Sequence, residues 1–158
     1  MANPLTLVFA LKDGTDIQQL GGVLGSLKPT IDQALTTIGT VHDARFVLLD
    51  ASTPNLQPGP RGPYKLAIIT SYDGNFETYI QDFINHIGDV FDALMSFTTD
   101  GASLVPVKDN VAAFTEYVSK NDASRNPPND APVMWYSAYP CTVQQVLAAD
   151  PCPQASSS

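Results

Sequence analysis

A chain of 158 residues with 44% hydrophobic content is long and apolar enough for one sizeable core, which sets aside a disordered chain and a disulfide scaffold. Its net charge of −8 and pI near 4.3, with eight scattered basic residues, argue against nucleic acid or an anionic membrane surface as partner, since both need clustered Lys and Arg. Only 15% of residues are charged, and 13 Pro and 10 Gly gather mainly between the apolar segments, which indicates ordered loops.

Met1 to Leu5 lacks a basic leader, and the apolar run behind it meets Lys12-Asp13 too soon for a signal-peptide core or a membrane span. It reads as a first strand, Leu5 to Lys12, in a cytoplasmic protein. From Ile17 the apolar positions Leu20, Val23, Leu24, Leu27, Ile31, Leu35 and Ile38 recur at helical spacing. Gly21, Gly22, Gly25 and Pro29 interrupt that stretch, so a weak or kinked helix is expected.

Gly39 suits a helix C-cap, and Val41 to Ala51 forms a second strand around Phe46-Val47-Leu48-Leu49. Ser52 to Pro63 is a proline-rich connection, and the third strand runs from Tyr64 to Tyr72. Asp73-Gly74-Asn75 then opens the clearest helix of the chain, with Phe76, Tyr79, Ile80, Phe83, Ile84, Ile87, Val90, Phe91, Leu94 and Met95 on one side. Asp73 or Asn75 is expected to cap it. A further helix is predicted from Asp109 to about Ser119, then an aromatic strand from Val133 to Tyr139, then a short helix capped by Thr142.

This order predicts an α+β ferredoxin-like plait, βαββαβ, in one domain over residues 1–150 with a frayed tail at 151–158. Right-handed crossovers would put both long helices on one face of a four-stranded antiparallel sheet, with inserts after strand two and after the second helix. The other face would then be bare and apolar, and a symmetric homodimer would cover it.

With the elements placed, the chain resembles ferredoxin-like proteins of the dimeric α+β barrel type. Locally, His42-Asp43-Ala44-Arg45-Phe46-Val47-Leu48-Leu49-Asp50, Thr70-Ser71-Tyr72-Asp73-Gly74 and Trp135-Tyr136-Ser137-Ala138-Tyr139-Pro140 are similar to segments of uncharacterised bacterial ferredoxin-like proteins. The superfamily includes heme-dependent enzymes and cofactor-free monooxygenases, so the resemblance brings heme into consideration, although no segment matches a heme-ligand motif.

The candidate catalytic residues are His42, Arg45 and Tyr72. A histidine near neutral pKa can serve as base or axial ligand, and an arginine fork can orient a carboxylate. Strand alternation sends His42 and Arg45 to opposite faces, and Asp43 lies beside Arg45 for a salt bridge. Phe46, Trp135, Tyr136 and Tyr139 are the candidate ligand-binding residues. His86 falls on the solvent-facing side of its helix. Two distant histidines without a third ligand make no metal site, and Cys141 with Cys152 reads as two free thiols, a local disulfide being the alternative.

Phosphate loops and nucleophile elbows are absent from the sequence. Two functions remain. One is a dimeric accessory protein that binds an apolar small molecule or a protein partner at the open sheet face. The other is a small oxidoreductase using oxygen or peroxide, with or without heme, on an apolar substrate.

Overall fold

A computed structural model describes residues 2–50, 62–126, 131–132 and 141–149. Strand β1 (Asn3–Ala10) turns Leu5, Leu7 and Phe9 to one side, where all three are buried. Helix α1 (Ile17–Ile38) begins where the Asp16 carboxylate accepts from the N–H groups of Gln18 and Gln19, at 2.8 and 3.1 Å. It ends at Gly39, whose positive φ of 62° lets its N–H return to the Leu35 carbonyl at 3.1 Å. Strand β2 (Val41–Asp50) follows, then β3 (Tyr64–Tyr72) and helix α2 (Phe76–Met95).

The kink expected in α1 is found in α2 instead. Pro29 sits on the exposed side of α1 above an equally exposed Gly25, so water can serve the carbonyl that lost its partner, and the helix runs on. In α2, Ile87 leaves helical geometry at φ −133° and ψ 29°. The Lys108 side chain lies over the neighbouring Gly88, so close that a Cβ there would stand 2.8 Å from its nearest carbon.

The sheet has strand order β1-β3-β2, each neighbour antiparallel. Register puts Phe9, Leu66 and Leu48 in one row, and Leu7, Ile68 and Phe46 in the next, all facing the helices. A line of rings ties those layers together: Tyr72 stacks on Tyr79 at 3.9 Å, Tyr79 meets Phe83, and Phe83 meets Phe91. Helix α3 (Val111–Lys120) joins the same core through Phe114, 5.1 Å from Phe91, and through Tyr117, stacked 5.5 Å from Phe9. Its first turn is not capped by Asp109; the preceding Asn110 turns its amide to the carbonyls of Leu104 and Pro106.

The four-stranded plait is therefore corrected to a three-stranded sheet with its helices on one face. After α3 the chain touches β1 in a single bridge, Leu7 to Asp122, closed by Val8 N–H to the Asn121 carbonyl (3.0 Å) and Ala123 N–H to the Thr6 carbonyl (2.7 Å). A two-residue ladder follows, β4 (Arg125–Asn126) against β5 (Ala131–Pro132), with β5 still beside β1 and the Ser124 hydroxyl donating to the Pro4 carbonyl at 3.2 Å. Pro127 and Pro128 come next in sequence and have no N–H to extend a ladder along β1. The aromatic strand predicted over Val133 to Tyr139 lies outside the described residues.

On the second sheet face the small Ala67 of the central strand is only 2% exposed, and Val8, Val47 and Ile69 are half-buried. The most exposed large apolar side chains of the sheet are Leu48 and Leu49, on the outer strand β2.

Asp122 is the keystone at the other edge. Its Oδ1 accepts from Thr6 N–H, Ser124 N–H and the Ser124 hydroxyl at 3.0, 2.9 and 2.6 Å, while Oδ2 lies 3.3 Å from Arg125 Nε. Arg125 in turn lies over the Phe76 ring at 4.5 Å. Replacing Arg125 with Met leaves a buried carboxylate without its cation, a loss of about 3–5 kcal/mol. Urea unfolding of Arg125→Met is expected to show that loss, and a midpoint unchanged from wild type would refute the keystone role.

Candidate functional site

A surface trough lies between α1 and the outer edge of β2. Its central section, about 440 Å³, is lined by Leu24, Ile31 and Leu35 from α1 and by Ala44, Arg45 and Phe46 from β2. A second section of about 410 Å³ continues past Leu35 and Ala44 to His42, Val143 and Leu147. A third, about 150 Å³, runs the other way past Leu24 and Phe46 to Leu48 and Leu66. Neighbouring sections share wall residues, Leu35 and Ala44 on one side and Leu24 and Phe46 on the other. The trough exists because β2 pairs with β3 on one side only, and because α1 buries Leu20, Ile31 and Ala34 while leaving Leu24 and Leu35 half-covered.

One end of the trough is built around Asp73. A β-bulge between Val41 and Asp43 makes His42 the extra residue, which frees its ring from strict alternation. His42 Nε2 lies 3.1 Å from Asp73 Oδ1, with both side chains largely buried. Asp73 Oδ2 accepts from the N–H of Val143 at 2.8 Å, at the start of helix α4 (Val143–Ala148). Thr142 and Gln145 close a capping box on the same helix, and the Gln144 amide donates to the Gly39 carbonyl at 2.9 Å. Gly39 is favoured here by its left-handed φ, and a Cβ would also push the Gln144 amide away from its present position, 2.8 Å off.

Asp73 is thus not the cap of α2; Asn75 is, accepting from Thr78 N–H at 2.8 Å. Burial alone would raise the Asp73 carboxyl, but the hydrogen bonds from Val143 and His42 and the charge of His42 outweigh it and hold the group below its ordinary value.

The predicted site residues do not converge. Arg45 alternates away from Ala44 and Phe46 and borders the central section from the strand edge, with its exposed guanidinium 3.8 Å from Asp43. Tyr72 is 1% exposed beneath Tyr79, and burial raises its hydroxyl pKa. His42 and Phe46 line the trough in different sections. Trp135, Tyr136, Tyr139 and Cys152 lie outside the described residues, and Cys141 is an exposed free thiol. His86 is exposed and its Nδ1 meets the Asp82 carbonyl at 2.8 Å.

Sequence reasoning missed the α1 wall. Its signal was an apolar set from Leu20 to Leu35 too wide for one buried stripe, beside glycines that leave the helix surface open.

Heme does not fit His42 as placed. Its Nε2 is occupied by Asp73, so an axial bond through that nitrogen would require the pair to open. Among the described residues no cluster of His, Cys, Asp and Glu is grouped to hold a metal ion, and no helix is long and apolar enough to cross a membrane. No protein-family model, curated protein or solved structure matches this chain.

The Asp73 linkage has a defined sign. A carboxyl held below 3.8 in the folded state contributes stability fully above that pH and loses it as the pH falls through the lower folded value. Asp73→Asn is expected to lower neutral-pH stability by about 1–3 kcal/mol. It should also flatten the fall in denaturation midpoint that wild type shows on acidification below pH 3.8. Parallel acid profiles for the two proteins would show that the carboxylate is not held as described.

Proposed function

We propose that this chain is a binding module without a catalytic role, and that it takes an apolar molecule or the apolar surface of a partner in the trough between α1 and β2. The observation that carries the reading is the condition of the charged side chains around it. Lys28 is joined to Asp32, Arg45 to Asp43 and His42 to Asp73. With those charges already satisfied within the chain, an occupant is offered mainly Leu24, Ile31, Leu35 and Phe46. Affinity from such a lining comes from area removed from water, roughly 25 cal/mol per Å², and the paired charges at the rim contribute orientation.

A second reading gives His42 a chemical role on an apolar substrate, as in the oxidoreductases that the sequence brings to mind. The observation in its favour is the Asp73 carboxylate, which orients the ring as a carboxylate does beside a general base. Arg45 and Tyr72 are not within reach to assist it, which is why binding is preferred.

Titration of dilute protein with the neutral apolar dye Nile red separates the two. The binding reading expects saturable fluorescence that weakens about tenfold in Leu35→Asn, the loss of roughly 1.4 kcal/mol of apolar burial, and that persists in His42→Ala. Dye binding indifferent to Leu35→Asn and Leu24→Asn would overturn it. A turnover abolished by His42→Ala would establish the second reading in its place.

A further inference from the structure

Strand β2 is an edge. Among the described residues its only ladder is to β3, and Leu48 and Leu49 near its end are about two-fifths exposed. An apolar strand edge alongside an apolar trough is suited to an occupant that adds a strand and side chains together.

The charges on β2 decide which strand. Asp43 and Arg45 lie two residues apart on the same face, with Ala44 between them turned toward the trough. Two copies of β2 related by a two-fold axis run antiparallel, and residues opposite one another then have positions that sum to a constant. An axis through Asp43 or through Arg45 puts like charges directly opposite. An axis through Phe46 faces Asp43 with Leu49 and Arg45 with Val47. The axis through Ala44 sets Asp43 of each copy opposite Arg45 of the other, twice, in a short ladder centred on the two Ala44 side chains that ends where the bulge at His42 meets the partner's Phe46.

We propose that the occupant of the trough is a second copy of this chain, with β2 paired antiparallel to β2 about Ala44 and the two troughs closed against each other. Six strands then form one sheet with the α1 helices side by side above the seam. Gly21, Gly22 and Gly25 have nothing within 4 Å of where a Cβ would stand, which leaves that surface of α1 open to a neighbouring helix. The proposal rests on the trough being the binding surface, and it names the partner. It differs from the expected dimer through the second sheet face in using the outer edge and the helix side of β2.

The test is the mass of the full chain by sedimentation velocity, with Asp43→Arg and Arg45→Asp, both surface positions at which a folded protein is expected. Wild type should dimerise, and each single variant, which faces like charges across the axis, should weaken association about tenfold or more. An equimolar mixture of the two variants should restore a heterodimer, because every position across the axis then meets its opposite. The pair within one chain cannot produce that result, since mixing leaves each variant's own charges unchanged.

A wild type that stays monomeric at sub-millimolar concentration overturns the proposal, as does a dimer that neither variant weakens or that mixing does not restore. Nile red keeps this apart from the earlier reading. A monomer that binds the dye through Leu35 defeats the second copy alone, and a monomer that binds no dye defeats both.

Discussion

A three-stranded sheet has two edges, and the fold depends on their unequal treatment. At β1 the edge is closed by Asp122, whose buried carboxylate takes the Thr6 N–H that a further strand would have used and is balanced by Arg125. A buried carboxylate needs donors and a countercharge, and here three donors meet Oδ1 while Oδ2 has the Arg125 guanidinium beside it at 3.3 Å without a hydrogen bond. That closure makes the sheet end at β1 on one side. The helices then cover one face, and β2 is left as the open margin on which the trough forms.

The parts of this arrangement legible in the sequence are those governed by local pattern. The apolar spacing of Phe76 to Met95 specifies α2, Tyr64 to Tyr72 reads as a strand with the bounds it has, and Thr142 announces a short helix. The predicted aromatic strand after Val133 lies outside the described residues, and beside β1 the described chain forms a single bridge at Asp122 in place of a full strand. Propensity describes a segment, but membership of a sheet depends on which backbone groups are still available where the segment arrives.

The site was less legible than the fold for the same reason. Asp73 reads locally as a cap, and nothing near it in sequence shows that its second oxygen holds Val143, 70 residues away. His42 and Arg45 were correctly separated by alternation in principle, yet the bulge gives His42 its direction, and one extra residue in a ladder has no composition signature when no glycine marks it. The pairing of Asp43 with Arg45 was readable because it is local to one strand face.

Helix α4 contributes no buried residue to the core. It is moored by the Asp73 carboxylate, the Gln144 amide and its own capping box, all polar attachments that water can replace. Lifting it away would open no void among the core side chains, so this latch is among the cheapest parts of the molecule to release. Because Val143 and Leu147 form one wall of the channel at His42, that release would lengthen the channel and leave the sheet beneath undisturbed.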